Sequence, residues 1–361
     1  MFDVLVVGGG PAGSLSAILL SKKGYNVLIA EEHASPGFPV QCAGLISERC
    51  FEEYSKYVSS IKKTVEKRID GAFFVSPSGF SLEAKGKAYV IERKLFDRIL
   101  FEKASFYAET SVKSKVEFGK EIRSGGKKVT AKNILGADGV YSSVAKHFKF
   151  ERPRIYTCLQ VETKFKPLDE RYVELYFGKS YSDLFAYVIP LEDTAKLGVI
   201  CRNGAAERLK KFMKHRCIAG RVGKSTLELI AGAIPDRLVS FVKENVALIG
   251  DSAGMVKPYT GGGLNYLLIA AEVLAKNFPN LKNYEKEYRR KLWKEYEAGK
   301  LIRKIYSMEE KYLDDIFLAL KDFDFSGIDM DNPSTIIKKI PELLRVIKPK
   351  NMLRILRMLL S

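Results

Sequence analysis

Residues 1–31 read strand, glycine-rich turn, helix, second strand and acid, in that order. Short strands rich in aromatics follow from about residue 155, and a charged, helix-patterned run begins near residue 281. Together these predict an α/β protein. A Rossmann-type nucleotide-binding domain carries an inserted antiparallel-sheet domain and ends in a helical C-terminal region. The expected limits are 1–65, 86–154 and 236–280 for the first, 66–85 and 155–235 for the second, and 281–361 for the third.

The first unit is the most specific. Residues 2–7 are an apolar run rich in β-branched side chains, and Gly8, Gly10 and Gly13 fill the G-x-G-x-x-G positions. Gly8 permits the tight turn, Gly10 lets the backbone approach a pyrophosphate, and Gly13 lets the helix pack closely on the sheet. The helix start at Pro11 and Ala12 then faces the anion. Glu31 follows the second strand, eighteen residues after Gly13, where an acid accepts from ribose hydroxyls. An acid there favours a plain ribose, which leaves FAD or NAD.

After Glu31 comes a loop over residues 33–44, punctuated by Pro36, Gly37 and Pro39 and carrying Gln41, Cys42, Ala43 and Gly44. Ser47 and Glu48 start a helix that reaches about Tyr57. Residues 71–82 read as a hairpin, 89–91 as a short strand and 94–107 as an amphipathic helix. Two strands flank Ser124-Gly125-Gly126, and the second ends in Gly136-Ala137-Asp138-Gly139. Strands are expected at 159–165, 172–177, 184–189, 196–201 and 227–234, with a helix near 205–215. Residues 246–249 return to a buried parallel strand, which opens onto Gly250-Asp251-Ser252-Ala253-Gly254 and a helix over 262–276.

Composition sets outer bounds. A mean hydropathy of −0.10 fits a soluble globular chain. No run of roughly 18 apolar residues suggests a membrane span, and the glycine-rich start belongs to a fold rather than to a signal peptide. A cytoplasmic protein is expected. The formal charge of +17 fits attraction to anionic lipid or to an acidic partner, or else a lysine-rich solvated surface. No nucleic-acid-binding motif accompanies it. Five cysteines at irregular spacing make no disulfide framework, and Cys217 near His215 lacks the companions of a metal site. Gly220 to Ser225 is no phosphate loop, because Ile218 stands where its first glycine belongs.

The fingerprint, the Asp138-Gly139 strand end and Gly250-Asp251 with Pro258 resemble the FAD superfamily of aromatic hydroxylases and reductases. Over nearly the whole chain the finer resemblance is to the geranylgeranyl reductase family. It rests on residues 250–264, on Cys42-Ala43-Gly44-Leu45, on Arg93 with Phe96-Asp97, and on residues 185–190. The resemblance implies an aromatic-hydroxylase-like FAD fold and FAD as cofactor. Its contacts would be Gly8, Gly10, Pro11, Ala12, Gly13, Glu31, Cys42, Ala43, Gly44, Arg93, Asp138, Gly139, Asp251, Gly262, Gly263 and Leu264. It implies a prenyl-lipid substrate on a strand face bearing Phe177, Phe185, Tyr187 and Ile189, with Cys42 and Tyr187 catalytic and no metal. Two departures stand out: Tyr187 replaces the usual Trp, and Ile189 the usual Phe.

The expected activity is FAD-dependent hydrogenation of geranylgeranyl double bonds in membrane-lipid precursors. The alternatives are reduction of a prenyl-quinone side chain and aromatic monooxygenation, and the histidine that hydroxylases carry after the Gly-Asp pair is absent here. An isolated alkene has no carbonyl to take up charge, so a proton must arrive with the hydride. Cys42 is the candidate donor, a redox gate or a packing residue. One dinucleotide fingerprint implies an external electron donor, such as ferredoxin or another small acidic carrier. Residues 340–361 alternate apolar side chains with Arg354 and Arg357. That stretch either docks peripherally on anionic membrane or packs against the body or a second subunit.

Overall fold

The computed structural model describes residues 1–38, 42–339 and 342. Pro39 and Gln41 of the expected cofactor-side loop lie outside the described residues. So does the expected docking stretch 340–361, apart from Glu342. No helix among the described residues is long and apolar enough to cross a membrane.

β1 (Phe2–Val7), α1 (Pro11–Ser21) and β2 (Val27–Ala30) form the opening unit. β3 (Leu45–Ser47) leads into α2 (Glu48–Tyr57), where the Ser47 hydroxyl caps the helix by accepting from the Cys50 N–H at 3.0 Å. β4 (Val65–Val75) and β5 (Ser81–Ile91) make a long hairpin, and α3 (Arg93–Ser105) returns to β6 (Glu109–Ser111). β7 (Val116–Phe118), β8 (Ile122–Ser124) and β9 (Lys127–Val129) form a small sheet before β10 (Ala131–Gly136) and α4 (Ser143–His147). β11 (Ile155–Phe165), β12 (Tyr172–Tyr176), β13 (Ala186–Pro190), β14 (Thr194–Cys201), α5 (Ala205–Met213) and β15 (Val222–Pro235) follow. β16 (Val242–Lys243), β17 (Val246–Leu248), α6 (Leu264–Asn277), α7 (Leu281–Tyr306) and α8 (Glu310–Ala319) complete the chain.

The nucleotide-binding sheet has the order β16-β17-β10-β1-β2-β6 and is parallel except for β16. Its strands are apolar on both faces because helices cover both, and α1, α6 and α7 share one core with them. The second sheet has the order β15-β11-β14-β13-β12-β4-β5-β3. One face packs on α5. The other packs on the end of α7, on α8 and on the segment around Ala43 and Leu45. That second face turns the inserted sheet toward the nucleotide-binding edge.

The hairpin is longer than its sequence signal. Residues 83–87 are mostly exposed and polar, which hides the continuity of β5, so Tyr89, Val90 and Ile91 end that strand instead of forming a separate one. The strand expected to end at Asp138 is two strands in different sheets, β9 and β10. The C-terminal segment is fastened back by a buried ion pair, Lys257 Nζ to Asp331 Oδ1 at 3.0 Å, which the Ser47 hydroxyl and Arg49 also approach. Burial disfavours the Asp331 charge, but Lys257, the Ser47 hydroxyl and Arg49 outweigh it and hold the pKa below the ordinary range.

Candidate functional site

Three glycine-bearing blocks, far apart in the chain, meet at the carboxyl ends of β1, β10 and β17. A Cβ on Gly8, at φ +103°, would stand 2.5 Å from the Ala137 carbonyl oxygen. A Cβ on Gly250 would stand 3.0 Å from that of Ala12. The Ser252 hydroxyl donates to the Gly136 carbonyl at 2.7 Å. Parallel sheets bind ligands at this edge, where strand order reverses on either side of β1. Gly13 packs so tightly that a Cβ would sit 1.9 Å from the Gly8 carbonyl oxygen. A Cβ on Gly10 would meet nothing within 4 Å. The open space therefore lies at Gly10, in front of an α1 N-terminus that no side chain caps.

Glu31 is buried and faces the same turn. One carboxylate oxygen accepts from the Gly9 N–H at 2.7 Å, and the other from the His33 N–H at 2.8 Å. Asp138 caps α4, accepting from the Ser143 N–H at 2.7 Å and from the hydroxyls of Ser142 and Ser143. It sits between the first and third blocks as part of the scaffold, and neighbouring Gly139 turns with φ +73°.

Asp251 is different. Its carboxylate makes no hydrogen bond among the described residues, and Oδ1 lies 3.4 Å from where a Cβ on Gly263 would stand. Burial pushes its pKa up to about 6 against the opposing pull of Arg93. Gly263 is the N-cap of α6, again without a side-chain cap, and Leu264 begins the helix. A half-buried, unpartnered carboxylate beside an uncapped helix start suits ribityl or ribose hydroxyls with an anion close by. The residues present therefore fit FAD.

Arg93 joins the two halves of the site. Its guanidinium holds Asp97 bidentately at 2.9 and 3.1 Å and lies near Cys42. Burial works against its charge, but Asp97 and Cys42 outweigh that and raise its pKa. The Gly44 N–H donates to Cys42 Sγ at 3.4 Å, folding the loop back on itself. Gly262 packs against the Lys257 side chain, so the turn entering α6 is held by the clasped C-terminal segment.

From Cys42 the inserted sheet presents its apolar face. Phe177, Phe185, Tyr187 and Ile189 are all buried in one cluster with Leu313, Ile316 and Phe317 of α8, and Ala43 packs against it. Phe177 stands 4.9 Å from Tyr306 and 5.5 Å from Phe317, ring centre to ring centre. Tyr187 crosses β14 at Gly198, its paired residue, where a Cβ would stand 2.2 Å from the ring. Its hydroxyl donates to Gln160 Oε1 at 2.6 Å and lies 3.2 Å from Cys158 Sγ. Burial, then Cys158, pushes the Tyr187 pKa well up, and burial pushes that of Cys158 up to about 12. Gln160 Nε2 is buried without a hydrogen-bond partner among the described residues.

Sequence reading missed Cys158, Gln160, Gly198 and Lys196. Lys196 is nearly buried and reaches both the Ala43 carbonyl and Glu66 at 3.4 Å. Their strands mix polar and apolar residues, so nothing local marks these four as facing the site.

The FAD binding domain family matches residues 1–285. A digeranylgeranylglycerophospholipid reductase of Methanococcus vannielii is 31% identical over 96% of this chain and 97% of its own length. A second reductase of that name, from Methanothermobacter thermautotrophicus, is 29% identical over 96% and 99%. Among solved structures, a geranylgeranyl bacteriochlorophyll reductase-like protein of Thermoplasma acidophilum superposes with a TM-score of 0.81 at 22% identity, covering 95% of this chain and 98% of that one. A p-nitrophenol 4-monooxygenase of Pseudomonas putida shares the fold at a TM-score of 0.72 and 16% identity, covering 97% and 99%.

Proposed function

Because the chain belongs to the FAD binding domain family and, within it, to the digeranylgeranylglycerophospholipid reductases, we propose that it hydrogenates geranylgeranyl double bonds of archaeal-type membrane-lipid precursors. One observation carries this reading beyond likeness. The buried apolar face that bears Phe177, Phe185, Tyr187 and Ile189 runs up to the loop of Cys42 and Ala43, beside Arg93 and Asp251. An apolar chain inserted between that face and α8, which covers it, would bring a double bond to the cofactor edge of the molecule.

FAD, when bound, supplies the hydride. Its pyrophosphate would lie at Gly10, Pro11, Ala12 and Gly13, with Glu31 toward the adenosine ribose, Asp138 and Gly139 behind the turn, and Asp251 toward the ribityl chain. Gly262, Gly263, Leu264, Cys42, Ala43, Gly44 and Arg93 would hold the flavin ring. The aromatic face excludes water and orients the alkene. We assign proton delivery to the Cys42 thiol and positioning to Tyr187, whose own proton is directed at Gln160. The Gly44 N–H holds the Cys42 sulfur in place, with Arg93 nearby. The electron donor we propose is a separate small acidic carrier such as ferredoxin, supported by the formal charge of +17, with the enzyme in the cytoplasm against the inner membrane face.

Anaerobic single turnover tests this. Enzyme carrying reduced FAD is mixed with a digeranylgeranyl lipid, and flavin reoxidation is followed beside the lipid mass. Reoxidation with a gain of two hydrogens per event is expected, and Cys42→Ala should retain FAD while slowing that step about 100-fold or more. Reduced flavin that no prenyl lipid reoxidises would sink the proposal.

A further inference from the structure

Helix α7 buries Tyr284, Tyr288, Leu292 and Tyr296 at four-residue spacing, which leaves the opposite side outward. That side is lined by Lys282, Lys286, Arg290, Trp293 and Lys304, all exposed and on one stripe of the helix. The acids of the helix already have partners, including Glu297, which lies on this stripe. Glu285 pairs with Arg289, Glu287 with Lys276, Glu297 with Lys300, and Glu295 accepts from Ser334. None of the four cations on the stripe forms an ion pair with another described residue. Amid them stands the only tryptophan of the chain, 62% exposed.

We propose that this face of α7 docks the protein on an anionic lipid bilayer. A solvated, charge-rich surface accounts for the lysines but not for an indole set among them. Trp is the side chain suited to the head-group level, with its apolar ring toward the acyl boundary and cations meeting phosphates around it. Residues 343–361 carry Arg345, Lys348, Lys350, Arg354 and Arg357 and no acid, so their charge does not complement this face, while an anionic surface complements both. The same helix ends at Tyr306, which packs against Phe177 and Phe185 in the aromatic cluster. Trp293 and Tyr306 are thirteen residues apart, about 20 Å along the helix. A bilayer seated at Trp293 would thus lie one helix segment from the proposed substrate face. The biological sense of the docking rests on the lipid-reductase reading, but its physical basis does not.

The test uses the full-length FAD-loaded protein and vesicles of saturated phosphatidylcholine with and without phosphatidylglycerol. Such lipids have no double bond to reduce. Binding only to the anionic vesicles is expected, with a blue shift in the emission of Trp293, which reports on its own environment. The double variant K286Q/R290Q should bind roughly 30-fold more weakly, about fivefold per charge. Trp293→Ala should also weaken binding, and both variants should keep wild-type turnover on detergent-dispersed substrate. Vesicle binding without an emission shift, or equal binding by K286Q/R290Q, overturns the proposal. So does a result in which an acidic carrier protein binds this face in solution and vesicles do not. If vesicles bind as expected while dispersed prenyl lipid is never reduced, the docking stands and the proposed function fails.

Discussion

Asp251 sets stability against cofactor binding, and Asp251→Asn separates the two. In the FAD-free protein its carboxyl has a pKa of about 6 in place of 3.8, chiefly through burial. A raised folded pKa means that the ionised form is disfavoured by folding. The cost is absent below pH 4, grows as pH rises toward 6, and is complete above that. The full gap corresponds to about 3 kcal/mol, and partial solvent contact trims it to about 1–2 kcal/mol. Asn has the same shape and no charge. The FAD-free variant should therefore be more stable than wild type by about 1–2 kcal/mol at pH 7.5 and nearly equal at pH 4, measured by urea unfolding. FAD binding should move the other way. A hydrogen bond to a charged acceptor is worth about 1.5–3 kcal/mol, so FAD affinity should fall roughly 10- to 100-fold. A variant that binds FAD as wild type does would refute the assignment of this carboxylate to the cofactor, and one that is less stable at pH 7.5 would refute its raised pKa.

Gly10→Ala and Gly13→Ala should differ sharply although three residues separate them. The first puts a methyl into open space, so folding should cost under about 1 kcal/mol while FAD affinity, read by flavin fluorescence, falls at least about tenfold. The second drives a methyl to 1.9 Å from a backbone oxygen, and soluble yield should collapse with or without FAD. If Gly10→Ala retains full FAD affinity, the pyrophosphate is not where we place it. Gly198→Ala should keep FAD but displace the Tyr187 ring, which lies 2.2 Å from the new methyl, so prenyl-lipid turnover should drop while the flavin spectrum holds. Unchanged turnover would remove Tyr187 from the substrate path.

The fold was legible where local chemistry and global structure coincide. A β-branched run followed by three spaced glycines has few alternatives, and β1, α1 and β2 lie where residues 1–31 place them. The helix at Glu48–Tyr57 likewise depends on Ser47, whose hydroxyl does the capping. Legibility failed where solvent blurs a pattern. β5 passes through five mostly exposed residues that read as a loop, although its register with β4 continues beyond them. The break between β9 and β10 is also invisible, since both halves are strand-like and only tertiary pairing sends them to different sheets.

The site was legible as residue types but not as contacts. Asp251 could be named from its Gly-Asp pair, yet nothing local says that its carboxylate lacks a partner while Asp138, in a similar strand-end position, is fully engaged with α4. The difference arises from the serines just C-terminal to each acid. Ser142 and Ser143 begin a helix that Asp138 caps, whereas Ser252, next to Asp251, turns away to the Gly136 carbonyl. The aromatic face shows the same limit. Phe185, Tyr187 and Ile189 alternate visibly, but Tyr187 can lie flat only because Gly198, eleven residues on, carries no side chain. Its polar end is settled by Gln160 and Cys158 on a strand that is not its neighbour. A Trp in that position would present only a donor to the Gln160 oxygen, whereas Tyr also offers an acceptor toward Cys158. The Tyr at position 187 is thus matched to its two polar neighbours, and those neighbours are the place to look for what distinguishes this chain's substrate face.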